Sequence, residues 1–144
     1  MVMKETKFWQ DQEKDWKFYF DEGKSYLKTC NKLINKKGVF DNEFIYNLAV
    51  LAGERITLGM LLSYNYIPAS TSLSGMLKEG KELYPLATEL IVGARIINRF
   101  QAFCSLDVVP LTAPKDDELI EVVKYINSVD AFCSEHLNQE VSVI

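Results

Sequence analysis

Histidine is almost missing from this sequence: of 144 residues, His136 is the only one. Chemistry near neutral pH that relies on an imidazole, as general base or metal ligand, has one candidate to draw on. A zinc site built on Cys133 and His136 needs a second ligand pair, and no other Cys or His pair occurs at ligand spacing. A di-iron bundle needs Glu three residues before His on two helices, and here that position is Cys133. The glycine loops that cradle phosphates are missing, as is Gly-x-Ser-x-Gly around a nucleophile. No metal, cofactor or catalytic residue is therefore assigned.

Turn residues are scarce as well. Four Pro and seven Gly are too few for a many-stranded sandwich or barrel. Cys30, Cys104 and Cys133 form an odd set without close spacing, the pattern of reduced, buried thiols rather than of a disulfide framework. No uninterrupted apolar run approaches the ~18 residues of a membrane span; the strongest, Leu90 to Ala94, is bounded by Glu89 and Arg95. The first ten residues do not read as a secretory signal, and the last four lack a prenylation cysteine. The expectation is a cytoplasmic protein without a membrane partner.

What is present points to one folded unit, a single helical-bundle domain over residues 1–144. Hydrophobic residues make up 48% and charged residues 25%, which excludes a disordered chain. The net charge of −4 argues against a dedicated nucleic-acid binder, but it is unevenly placed. Residues 1–37 sum to +3 and the remainder to −7. A solvated helix face of mixed sign accounts for the basic end.

Helical periodicity runs through nearly the whole chain and predicts an all-α, up-and-down bundle of about five helices. Trp9, Trp16, Tyr19, Phe20, Tyr26, Leu27, Cys30, Leu33 and Ile34 mark a first helix over about 8–34, stopped by Lys36-Lys37-Gly38. A second helix, capped by Asp41 or Asn42, turns Phe44, Ile45, Leu48, Leu51, Ala52, Ile56, Gly59 and Leu62 inward. Its small residues Ala49, Ala52, Gly53 and Gly59 leave room for a neighbouring helix to approach closely. After a loop at Tyr64–Pro68, a shorter helix is expected from Ser70 or Thr71 to about Leu83. The fourth helix begins near Pro85 and carries Leu86, Leu90, Ile91, Ala94, Ile97, Phe100 and Phe103. The last opens at Pro114 with Thr112 as cap and buries Leu119, Val122, Val123, Ile126, Val129, Phe132, Cys133 and Leu137. An excess of aromatic residues (Trp9, Trp16, Phe18, Phe20 and Tyr64 among them) predicts a homodimer, with the second and fourth helices as the pairing faces.

Two polar groupings interrupt the apolar helices. Glu54-Arg55 stands in the middle of the second helix. Arg95 and Arg99 lie one turn apart on the fourth, with Asn98 beside them, where two guanidinium groups on one face can hold an anion. Salt bridges to the many acids of the later segments are the ordinary alternative.

The order of these features resembles a known family. Asn47 to Leu62 places small residues before the Glu54-Arg55 step and an aliphatic run after it. Then come Pro68, Ser70-Thr71-Ser72-Leu73 ahead of Met76-Leu77, the two arginines, a proline-containing loop and an acidic helix start. In this order, residues about 42–137 are similar to the HEPN domains, small helical bundles. Many members are ribonucleases, or toxins paired with nucleotidyltransferase-type partners, whose signature is Arg followed four to six residues later by His in a composite site across a homodimer. Here Arg99 is followed by Phe100-Gln101-Ala102-Phe103-Cys104-Ser105, and Thr71 stands where many members have His. The resemblance thus implies a non-catalytic, homodimeric module that binds a nucleotide, RNA or a nucleotidyltransferase-type partner, with Arg95, Asn98, Arg99, Glu54 and Arg55 as the ligand-holding residues. The alternatives are a degenerate or active HEPN ribonuclease toxin of a toxin–antitoxin pair, using Arg99 with Asn98 or tyrosines, and an unrelated helical interaction bundle.

Overall fold

The computed structural model describes residues 16–36, 41–85, 88–101 and 114–138, with the backbone alone for 99–101. Helices α1 (Trp16–Leu33), α2 (Asn42–Ser63), α3 (Leu73–Glu79), α4 (Thr88–Gln101) and α5 (Asp116–Glu135) follow one another, with a 3-10 turn at Gly80–Glu82. No strand occurs among the described residues. The part of the expected first helix before Trp16, and the expected Gly38 stop and Thr112 cap, fall outside them.

Side-chain pairings fix the direction of each helix. Phe20 meets Gly59, Gly23 meets Ala52 and Ile56, and the Cys30 thiol donates to the Ile45 carbonyl, so α1 and α2 are antiparallel. Asn42 donates to Asp116, Gly53 faces Ile126, and Thr57 touches Cys133, so α2 and α5 run parallel. Along α4, Leu90 takes the Tyr125 hydroxyl of α5, and Ile97 takes the Tyr46 hydroxyl near the start of α2. The four long helices therefore alternate up and down, and α3 bridges α2 and α4. This is the all-α bundle expected from the periodicity.

The central member is α2. By length and composition alone it is apolar enough to cross a membrane, with mean hydropathy 1.3 over its best window, yet 67% of that window is buried inside the bundle. Glu54 and Arg55 split its apolar run, so no uninterrupted stretch marks it in the sequence. The α1–α2 contact is unusually close. A Cβ placed on Gly59 would sit 2.7 Å from the Phe20 backbone nitrogen, and one on Gly23 would sit 2.7 Å from that of Ile56. Around this contact Trp16, Phe20, Leu27 and Cys30 of α1 are buried, and burial of each large apolar side chain contributes roughly 1.5–3 kcal/mol.

Polar bonds then set the neighbouring helices. Asn31 of α1 and Asn127 of α5 exchange amide hydrogen bonds of 3.1 and 3.0 Å, and Lys24 pairs with Asp130 at 3.2 Å. Cys30 and Cys133 are both fully buried free thiols, and burial pushes each up to about 12; Cys104, the third of the expected buried thiols, lies outside the described residues.

Three local expectations need correction. Phe44, placed on the inward stripe of the second helix, is 50% exposed. The adjacent Ile45 and Tyr46 turn inward instead, Tyr46 to reach the Ile97 carbonyl at 2.8 Å, and a helix rotates about 100° per residue. The third helix starts at Leu73 rather than at Ser70 or Thr71, because the Ser72 hydroxyl accepts the Gly75 N–H and caps it. The last helix begins at Asp116, after Pro114, and Glu118 reaches back to the Lys115 N–H at 2.9 Å. At the second helix Asp41 is the cap, accepting from Phe44 N at 2.9 Å.

Gly59→Ala tests the close helix contact. Alanine gains up to about 1 kcal/mol in helix propensity, but the added methyl meets backbone rather than a side chain that swings away. Overpacking of this kind costs about 1–3 kcal/mol, so the urea midpoint should fall. A midpoint equal to or above that of the wild type contradicts the contact.

Candidate functional site

The polar residues singled out by sequence separate into two places on the bundle. Glu54 and Arg55 line a groove of about 400 Å³ on the side where α1, α2 and α3 meet. Its floor is Leu51, Leu58 and Leu62 of α2 with Met76 of α3; Tyr19 of α1 forms one wall, and Ile67, Pro68, Ser70 and Thr71 form the other. Arg95 lies instead beside a shallow depression between α4 and α5, bordered by Val92, Ile96, Glu121, Lys124 and Ser128. The two linings share no residue. Asn98 is exposed on the same helix as Arg95. Arg99 belongs to α4 one turn further on, and its side chain lies outside the described residues.

The groove wall formed by residues 66–71 is held by one carboxylate. The Schellman arrangement that ends α2, with Tyr66 N donating to Leu61 O at 3.1 Å and Asn65 N to Leu62 O at 2.8 Å, puts Asn65 at φ 60°. The chain then turns back over α3, where Glu79 receives the Tyr66 hydroxyl at 2.9 Å and the N–H groups of Ala69 and Ser70 at 2.9 and 2.7 Å. Hydrogen bonds from Ser70 and Ala69 favour the ionised form and hold the Glu79 carboxyl down at about 2. The same clamp raises the Tyr66 phenol above its usual range.

Charges at the groove are unequal in their partners. Arg55 pairs with Glu22 of α1 at 3.4 Å and lies over the Tyr19 ring at 5.6 Å. Glu54 is half-buried, and among the described residues neither a hydrogen bond nor an ion pair reaches it. Loss of water raises its pKa, an effect partly offset by the Arg55 charge beside it.

In the α4–α5 depression, Arg95 is exposed and has no acid within 4.0 Å among the described residues. Lys124 supplies a second positive charge along the same border. His136 is elsewhere. It caps the end of α5, its ring stacks on Phe132 at 4.2 Å, its Nδ1 is 2.9 Å from the Phe132 carbonyl, and its own carbonyl takes the Tyr64 hydroxyl. No cluster of three or more metal-ligating side chains exists among the described residues.

Sequence reasoning missed Tyr19, Glu22, Lys124 and Glu79. The first three are ordinary members of helix faces, and nothing local marks which neighbour they meet. Glu79 left one trace: an acid a few residues after a Ser-rich loop, whose free N–H groups an acid can collect.

Glu79→Gln removes the clamp's charge. An acid whose folded pKa is depressed stabilises the fold above its ordinary value of 4.5 and loses that contribution as pH falls toward about 2. Wild type should therefore melt higher than Glu79→Gln at pH 6, and the gap should close as pH drops from 4.5 to 2.5. A gap that stays constant over this range contradicts the clamp.

A comparison with protein-family models found no match to this chain. Neither curated proteins nor solved structures gave one either.

Proposed function

We propose that this chain is a non-catalytic, HEPN-like binding module, a homodimer that holds a nucleotide or short RNA at the α4 arginines or docks a nucleotidyltransferase-type partner there. One observation carries the reading: Arg95 stands exposed beside Lys124 of α5, with no acid within 4.0 Å among the described residues, on the helix that also carries Arg99. Exposed cations on neighbouring helices suit a phosphate. The non-catalytic half draws support from His136. His136 is not among the residues that border the depression; Ser128, the bordering residue of α5 nearest to it, is eight residues earlier, about 12 Å along the helix.

The dimer has a narrower basis than the sequence suggested. Trp16 and Phe20 are in the core and Tyr64 is half-buried, so the free apolar surface consists of Phe18, Phe44, Ile67, Val92 and Ile120 among the described residues. The central turns of α2 are packed by α1 and α5 except along the groove, whereas α4 presents the exposed Val92 beside Arg95. That favours α4 as the pairing and binding face. Light scattering at tens of micromolar should give twice the chain mass, and a monomer would remove the dimer.

Binding is tested by titrating a labelled oligoribonucleotide at two salt concentrations. Wild type should bind, and more weakly at the higher salt as released counterions count against it. Arg95→Ala and Arg99→Ala should each weaken binding about tenfold or more, the loss expected for a charge-assisted bond, and Arg99→Lys should restore it only in part. A gel should show the RNA intact. Cleavage by wild type that Arg99→Ala abolishes would favour the ribonuclease alternative, and no binding at low salt would reject the reading.

A further inference from the structure

The groove on the other side of the bundle carries the opposite electrostatic character and is not used by the reading above. Among the described residues, its one charge with neither a hydrogen bond nor an ion pair is Glu54, which is negative. Arg55, the adjacent cation, is already engaged by Glu22 at 3.4 Å and by the Tyr19 ring at 5.6 Å. Glu22, Arg55 and Glu54, all half-buried, together leave one negative charge, and with Arg55 turned to Glu22 it falls to Glu54. A carboxylate that has lost part of its water and is offset only by a neighbouring charge is stabilised by a cation or a strong hydrogen-bond donor brought to it.

We infer that this groove is a binding site for a small organic cation, a protonated amine carried on a compact apolar body, with Glu54 receiving the amine. The volume of about 400 Å³ falls within the range of small-molecule sites, roughly 300–1,000 Å³, and the lining has their composition: mostly aliphatic side chains with a few polar groups. Leu51, Leu58 and Met76 take the apolar body. The Glu79 clamp holds the Ile67–Thr71 wall in place before a ligand arrives, which reduces the ordering cost of binding. An anion of the same shape meets Glu54 and is disfavoured. Burial raises the pKa of Glu54, which agrees with a site that has a cation to gain.

Three probes of one shape and different charge test the assignment: tryptamine, a cation; tryptophol, neutral; and indole-3-acetate, an anion. Each is titrated into the isotope-labelled full chain and followed by backbone amide shifts. Tryptamine should move the amides of Gly53 to Leu58 and of Ile67 to Thr71, and bind at least about tenfold more tightly than tryptophol, with indole-3-acetate weakest. Glu54→Gln should level tryptamine with tryptophol. Thr71→Trp, at the exposed rim, should weaken both alike by filling the mouth without altering charge. If Glu54→Gln does not fold, the charge series on wild type and the loss in Thr71→Trp decide the matter. Equal binding of tryptamine and tryptophol to wild type overturns the site. So does a tryptamine preference that survives Glu54→Gln, or an absence of shifts in the groove amides with every probe.

Discussion

A methyl group on Gly23 or on Gly59 would come within 2.7 Å of the partner helix backbone, so α1 and α2 touch with nothing between them but hydrogen. That closeness governs the rest of the bundle. It sets the rotation of α2 about its own axis, because only one face of α2 carries Ala52, Ile56 and Gly59 at the spacing α1 requires. With the rotation fixed, Gly53 is presented to Ile126 and Leu73, and Thr57 to Cys133, so α5 and α3 take their places against α2. The α1–α5 bonds of Asn31 with Asn127 and Lys24 with Asp130 close the third side. Each is modest, about 0.5–1.5 kcal/mol for a hydrogen bond, and serves register more than stability.

A helix covered on three sides has little freedom in where it leaves charges. Glu54 and Arg55 fall on the one flank of α2 that α1 and α3 do not close, and the returning chain after Asn65 makes that flank a groove rather than open surface. The groove thus follows from packing and from the Schellman end of α2. Arg95 owes its exposure to a different cause. Helix α4 is attached through its buried Leu90, Ala94 and Ile97 and through two tyrosine hydroxyls, which leaves the opposite face to water. The molecule therefore offers a largely apolar groove holding Glu54 and Arg55 on one side and the exposed Arg95 and Lys124 on another.

Much of the fold could be read from residue spacing, since buried faces with a 3.6-residue period name their own helices. Leu119, Val122, Val123, Ile126 and Val129 are buried as expected, and so are Leu90, Ala94 and Ile97. The small residues of the second helix correctly marked a close approach, although Gly23, the other half of it, looked like any glycine in a helix. Periodicity failed at Phe44, where apolar residues occupy consecutive positions and the pattern alone cannot choose which of Phe44, Ile45 and Tyr46 turns outward. Tyr46 was decided by a hydroxyl bond to Ile97, 51 residues away. The site was less legible for the same reason. Glu54, Arg55, Arg95 and Asn98 were all visible as polar interruptions, but whether they converge depends on helix order around the axis. The bundle places them on different sides.

Native-state amide hydrogen exchange tests most directly whether the α1–α2 contact holds the structure together. If it does, the amides of α2 from Ala52 to Met60 are the slowest in the protein and exchange only through global unfolding, with opening free energies equal to that measured by urea denaturation. Those of α3 and α4 then open at lower cost, through local events. Exchange of Ala52–Met60 at rates matching α3 or α4, with opening free energies well below the global value, would contradict the account.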